Sequence, residues 1–165
     1  TLSAQRQHWL ALATPRDVPA LFWYSFNLAG FIQHNRDAIR AVAQVGLVEQ
    51  VMERVLELDP AFFHSGAHLV LMALQASRSP MTGGNPEEAL MHYRKILEAE
   101  GDGFLMAHLY FARHYLVQMQ DRQAFDALIG RIAGEMPDEG RHRLLNRVAA
   151  QRAGLYREAA DLLIP

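Results

Sequence analysis

His64 and His68 stand four residues apart in the run AFFHSGAHLVLMAL. On a helix that spacing puts both imidazoles on one face, within reach of a single metal ion. His108 or His114 would supply a third nitrogen, and a zinc-bound water on such a set would make a hydrolase. The residues between the pair, Ser65, Gly66 and Ala67, include no glutamate, so the general base of the HExxH device is missing. No Asp or Glu neighbours the pair on that helix. With eight histidines in 165 residues, one such spacing is unsurprising. We therefore expect neither a metal nor a cofactor.

Other catalytic devices fare no better. Gly83-Gly84 runs into Asn85-Pro86 with no following lysine, which is loop chemistry and not a phosphate cradle. There is no GxSxG elbow. The absence of cysteine excludes a thiol nucleophile, a disulfide and a cysteine zinc site. The net charge is −2 and Lys and Arg form no basic run, so nothing marks a nucleic-acid partner. Arg113 stands out because it interrupts the apolar run LYFARHYL. A charge there must pair with a carboxylate or reach into a groove. The composition favours a binding protein over an enzyme.

The elements that would position these residues read as helices throughout. Asp59-Pro60 and Asn85-Pro86 are each an N-cap followed by proline at the first helical position, with Glu88 placed for a capping box. Asp121 caps a helix from Arg122, and Thr14-Pro15 or Asp17-Val18-Pro19 opens the first long one. Residues 1–13 would be the remnant of a longer N-terminal region. The stretch 18–35 is uncharged, but its Ser25, Asn27, Gln33 and His34 make it too polar to span a bilayer.

One spacing recurs on the second helix of each pair. Val48, Met52, Val55 and Pro60 are separated by four, three and five residues, as are Ala89, Tyr93, Ile96 and Gly101, and Phe125, Ile129, Ile132 and Pro137. Their terminators lie 41 and 36 residues apart, near the period of about 34 that marks tetratricopeptide repeats. Gly154, Tyr156 and Ala159 suggest a last turn and helix. The expected fold is all-α, a tetratricopeptide-like array of about four helix pairs in one domain, 1–165.

Each first helix also carries a polar stripe at i, i+4, i+7 and i+11. These are Trp23, Asn27, Gly30 and His34; His64, His68, Leu71 and Gln75; Tyr110, His114, Val117 and Gln118, nearly so; and His142, Asn146, Ala149 and Ala153. First helices of such arrays line the concave side, where ligands bind. A lone Tyr or His on a helix interface is more often a hydrogen-bonded core residue. Agreement between four stripes points instead to a groove. Trp23, Asn27, His68, Tyr110, Arg113, His114 and Asn146 are the expected ligand contacts.

The chain also resembles a known family. The stretches DVPALFWYSFNLAGF, VEQVMERVLELDPAFFHSGAHLVLMALQAS, GGNPEEALMHYRKILE, LYFARHYLVQMQDRQAFDALI and LLNRVAAQRA are similar to the tetratricopeptide-type T components (TatT) associated with TRAP transporters. The residues that carry the likeness include Leu21-Phe22-Trp23, Leu58-Asp59-Pro60, His68, Gly83-Gly84, Tyr110 to Arg113, Asp121, Phe125 and Asn146. The resemblance implies a periplasmic lipoprotein, some members being trimers, that partners the solute-binding P subunit and holds a small apolar solute in a channel or cavity. It implies no catalysis. A lipid anchor would come from a segment outside this chain. The expected function is a non-enzymatic periplasmic binding subunit; the alternative is a generic tetratricopeptide scaffold in an envelope complex.

Overall fold

Thr14 donates from its backbone N–H and from its hydroxyl to the Asp17 carboxylate, both at 2.8 Å. These bonds hold the Asp17 carboxyl below its ordinary range and fix a 3-10 turn, Pro15–Asp17, ahead of α1, Val18–His34. The structure, a computed structural model, describes residues 8–35, 37–135 and 140–165. It is all-α, an array of paired helices with no strand among the described residues. Of the expected N-terminal remnant, 8–12 is helical and 1–7 lies outside the described residues. Backbone contacts divide the chain into two compact units, Thr1–Leu71 and Met72–Pro165.

In the first unit, the short α2 (Ile39–Val42) joins α1 to α3 (Val45–Leu58), and α1 packs on α3. Val48, Met52 and Val55 are fully buried, as their spacing predicts, and Val18 and Phe22 from α1 are buried too. Ser25, also buried, donates its hydroxyl to the Val48 carbonyl at 3.2 Å. The aromatic crowding has a centre. The Phe22 ring meets Trp23 (5.0 Å), Phe26 (5.8 Å), Phe62 (5.3 Å) and Phe63 (5.6 Å). Gly66 completes the nest, since a β-carbon there would lie 2.7 Å from the Phe22 ring.

Asp59-Pro60 does not start the next helix as expected. Asp59 is the C-cap of α3, its carboxylate accepts from Ala61 N–H at 3.1 Å, and α4 spans Phe62–Ala76. Within α4, Phe63, His64 and Ser65 have φ of 48°, 56° and 56°, a left-handed turn built without glycine. Left-handed geometry costs about 1–2 kcal/mol per residue of this kind. The Phe62 and Phe63 rings, seated on Phe22 and Trp23, are the contacts that hold it. His64 lies inside that turn, so the right-handed i, i+4 register expected between it and His68 is absent.

The second unit begins within α4. In the loop after it Gly84 is required, because a β-carbon would fall 1.9 Å from the Arg78 carbonyl oxygen. Asn85 caps α5 (Pro86–Glu100), its side-chain oxygen accepting from Glu88 N–H at 3.2 Å. Helix α6, Leu105–Tyr110, widens into a π-helix over Phe111–Leu116 and ends as an α turn at Val117–Met119. Asp121 caps α7 (Arg122–Gly134) through Ala124 N–H at 3.0 Å. Helices α8 (Arg143–Glu158) and α9 (Ala160–Leu163) follow.

Helix α8 packs on α7 and on α6. Ala89, Ile96, Phe125, Ile129 and Ile132 are fully buried, again at the predicted spacings, whereas the fourth stripe, His142, Asn146, Ala149 and Ala153, expected to face a groove, is buried along its length. Pro137, the third expected terminator, lies outside the described residues. Gly154 makes no turn; α8 runs through it to Glu158, so the expected last pair is one long helix with a short end piece. Arg122 ties that end down, reaching Asp126 and Asp161 at 2.8 Å each and the Ile164 carbonyl at 3.1 Å.

Candidate functional site

The expected contacts of the first unit are Trp23, Asn27 and His68. Trp23 is 40% exposed, with its indole edge-on to Phe63 (4.7 Å) and Phe26 (5.6 Å). It is braced from one side and open on the other, a usable apolar wall. Asn27 is exposed and donates its amide to the Trp23 carbonyl at 2.7 Å. His34 and Asn35 do the same one turn back, to Gly30 and Phe31, both at 2.8 Å. The polar groups of the α1 stripe thus hydrogen-bond their own helix. His68 is half-buried.

In the second unit Tyr110, Arg113 and His114 come together where α6 passes into the π-helix. A π-turn inserts one extra residue, and such bulges are frequent at functional sites. The Tyr110 and His114 rings lie 5.5 Å apart. His114 Nδ1 is hydrogen-bonded to the Ser77 hydroxyl at 2.7 Å. Burial pushes the Tyr110 phenol up, opposed by the positive field of Arg152 and reinforced by Tyr156. The Arg113 guanidinium sits over the Tyr156 ring, 5.9 Å from its centre. Sequence reasoning expected a carboxylate or a groove for Arg113; the neighbour found is an aromatic face.

Asn146 is placed elsewhere. It is buried at the start of α6, where its side-chain oxygen accepts from Leu105 N–H at 2.9 Å and its amide donates to the Gly103 carbonyl at 2.7 Å. Both ends of its amide therefore serve the turn that begins α6, whose first N–H groups have no partner within the helix.

His108, considered as a metal ligand, is buried in a polar chain. The Tyr93 hydroxyl donates to His108 Nδ1, and His108 Nε2–H donates to the Asp102 carbonyl at 2.8 Å. The Asp102 carboxylate lies 3.2 Å from Nε2 and 3.4 Å from Arg131. Burial lowers the His108 pKa and raises that of Tyr93 to about 12. Both groups are thus neutral at physiological pH, and the chain is a structural tie between α5, the 101–104 loop and α7. The Phe111 ring stacks on Tyr93 (4.1 Å) and on Tyr115 (4.7 Å), which stiffens the outer face of the π-helix.

Residues that sequence reasoning did not select for the site are Tyr156, Arg152 and Ser77. Tyr156 and Arg152 share the polar side of α8, and Ser77 follows α4. Their one signal in the sequence is helical spacing, four residues between Arg152 and Tyr156.

The family model for the TRAP transporter T-component, TAtT, matches residues 2–163. No curated protein matches the chain.

Proposed function

The chain belongs to the TAtT family, the TRAP transporter T-component, and from that premise we propose that it is a non-enzymatic periplasmic subunit that holds a small, partly apolar solute and docks the solute-binding P subunit. The family match over nearly the whole chain carries the reading. Within the second unit, the Tyr110, Arg113, His114 and Tyr156 group offers the kind of contacts such a solute needs, apolar faces with a few hydrogen-bonding groups; within the first, the half-open indole of Trp23 offers an apolar face of its own. His68, in the first unit, is a half-buried donor or acceptor. Asn27 and Asn146 act indirectly, through the backbone they hold. No helix among the described residues is long and apolar enough to cross a membrane.

Docking has its own support. Tyr24 and Phe31, seven residues apart on α1, are 55% and 51% exposed, on a helix with no charged residue. Exposed apolar surface of this kind marks protein contacts. Docking also fits the alternative, a tetratricopeptide scaffold in an envelope complex, and trimerisation would use similar surface.

Native mass spectrometry of untagged protein, before and after organic extraction, tests the solute reading. A defined adduct lost on extraction supports it. A clean apo mass from the native source, together with capture of the P subunit, moves the function to docking alone.

A further inference from the structure

Helix α8 turns one face inward and the opposite face to solvent. Asn146, Ala149 and Ala153 are buried, and the residues opposite them, at i, i+4 and i+11, are Leu144, Val148 and Leu155. Val148 is half-buried, but Leu144 and Leu155 are 74% and 60% exposed. Arg143 and Arg147 border this stripe on one side and Arg152 on the other, all three exposed; Arg157, also exposed, lies farther round. Against these four arginines α8 carries a single carboxylate, Glu158. The described residues give none of the four a carboxylate partner, whereas Arg54, Arg122, Arg131 and Arg141 each have one. Asp161, just past the helix, is taken by Arg122. The four arginines stand four or five residues apart, so no basic run announces them in the sequence. The helix collects them.

We propose that the outer face of α8 lies against a lipid surface that carries anionic headgroups. Leucines along the outward ridge of a helix, with arginines on both shoulders, are the pattern that settles in the headgroup region of a bilayer. The leucines enter the acyl boundary, and the guanidinium forks reach the phosphates on their long stems. A protein partner fits this face less well, because leucine is under-represented among the residues that anchor protein interfaces. The one aromatic of α8, Tyr156, is half-buried beside Arg113 and leaves the outer face without an aromatic anchor. The chain as a whole has a net charge of −2, so attraction to an anionic surface has to come from a local patch, which also orients the molecule on it. Two leucines give little affinity for neutral lipid, whereas each arginine near an anionic surface adds roughly fivefold. This proposal stands apart from the solute reading and from docking through α1.

The test is flotation of the intact chain with vesicles of phosphatidylcholine alone and of equal parts phosphatidylcholine and phosphatidylglycerol, at low and high salt. We expect binding to the anionic vesicles to be at least about tenfold tighter than to the neutral ones, with the advantage falling at high salt. Arg147→Gln with Arg152→Gln should weaken it by about tenfold or more, and Leu144→Ser with Leu155→Ser should weaken it as well. All four positions are exposed, and circular dichroism checks that the fold is kept. Arg94→Gln with Lys95→Gln removes the same charge from the exposed side of α5 and should leave binding nearly unchanged. Because the chain has no cysteine, Leu155→Cys carrying a polarity-sensitive dye reads contact directly. Its emission should shift to the blue on anionic vesicles, while the same dye at Ala127→Cys, exposed on α7, should not move. Equal or absent binding to the two vesicle types, an arginine pair without effect, a loss as large from the α5 pair, or an unmoved dye at position 155 each overturns the proposal. Leucine variants that bind vesicles as well as the native chain, together with salt-sensitive binding of soluble polyglutamate, would make the face a dock for an acidic protein and overturn it too.

Discussion

Replacing Asn146 with alanine separates a ligand contact from a structural one. The side chain makes two hydrogen bonds to main-chain groups 41 and 43 residues away, Leu105 N–H at 2.9 Å and the Gly103 carbonyl at 2.7 Å. Leu105 is fully buried, so its amide has no water to turn to. Leaving a buried donor or acceptor unpaired costs about 1–3 kcal/mol. The Gly103 carbonyl is nearer solvent and sits at the low end. The sum is about 2–4 kcal/mol, which for a chain of this size lowers the melting temperature by roughly 5–15 °C. Urea titration followed by circular dichroism reads the loss as a lower midpoint with an unchanged slope. Amide exchange reads it locally, as faster exchange at Leu105 than elsewhere in α6. Asn146→Asp should be about as damaging, since it keeps the acceptor for Leu105 but turns an oxygen toward the Gly103 carbonyl. A stable Asn146→Ala variant with normal Leu105 protection and weakened solute binding would refute this reasoning and restore Asn146 to the ligand.

Trp23→Ala should weaken solute binding by about tenfold or more with helicity retained, because the indole is 40% exposed; loss of the helical signal would instead make it core. Gly84→Ala should destabilise by about 1–3 kcal/mol or more, read by thermal melting, because its β-carbon meets the Arg78 carbonyl at 1.9 Å. His108 and His92 both have pKa values lowered from 6.5 by burial. Each binds fewer protons folded than unfolded, so stability should rise with pH through about 6.5 and fall as pH drops below it. Melting curves from pH 5 to 7.5 should show this slope, His108→Gln should reduce it, and a higher melting temperature at pH 5 would contradict it.

The second helices of the array were legible because their signal is burial itself. Val48, Met52 and Val55, then Phe125, Ile129 and Ile132, repeat the four-and-three spacing that one buried helical face imposes, and all are fully buried. Asn85 and Asp121 were legible because capping is local. What escaped was set by tertiary contact. Phe63-His64-Ser65 has no glycine to announce a left-handed turn; the ring cluster around Phe22 imposes it. Asn146 looked like a groove residue because a stripe cannot tell solvent from a backbone 41 positions away. Arg113 asked for a partner, but an aromatic face four helical residues past Arg152 leaves no charge pattern to read. The π-turn at Phe111–Leu116 has no sequence signature either.

The left-handed turn has a kinetic consequence. A right-handed helix cannot grow through it, so the right-handed part of α4 that follows Ser65 must nucleate on its own. The turn depends on Phe62 and Phe63 reaching rings from α1 about forty residues earlier, a contact that comes late because loop closure precedes it. It should therefore be unformed in the folding transition state. Glycine at His64, which adopts this geometry without a steric penalty, should accordingly slow unfolding and leave the folding rate almost untouched.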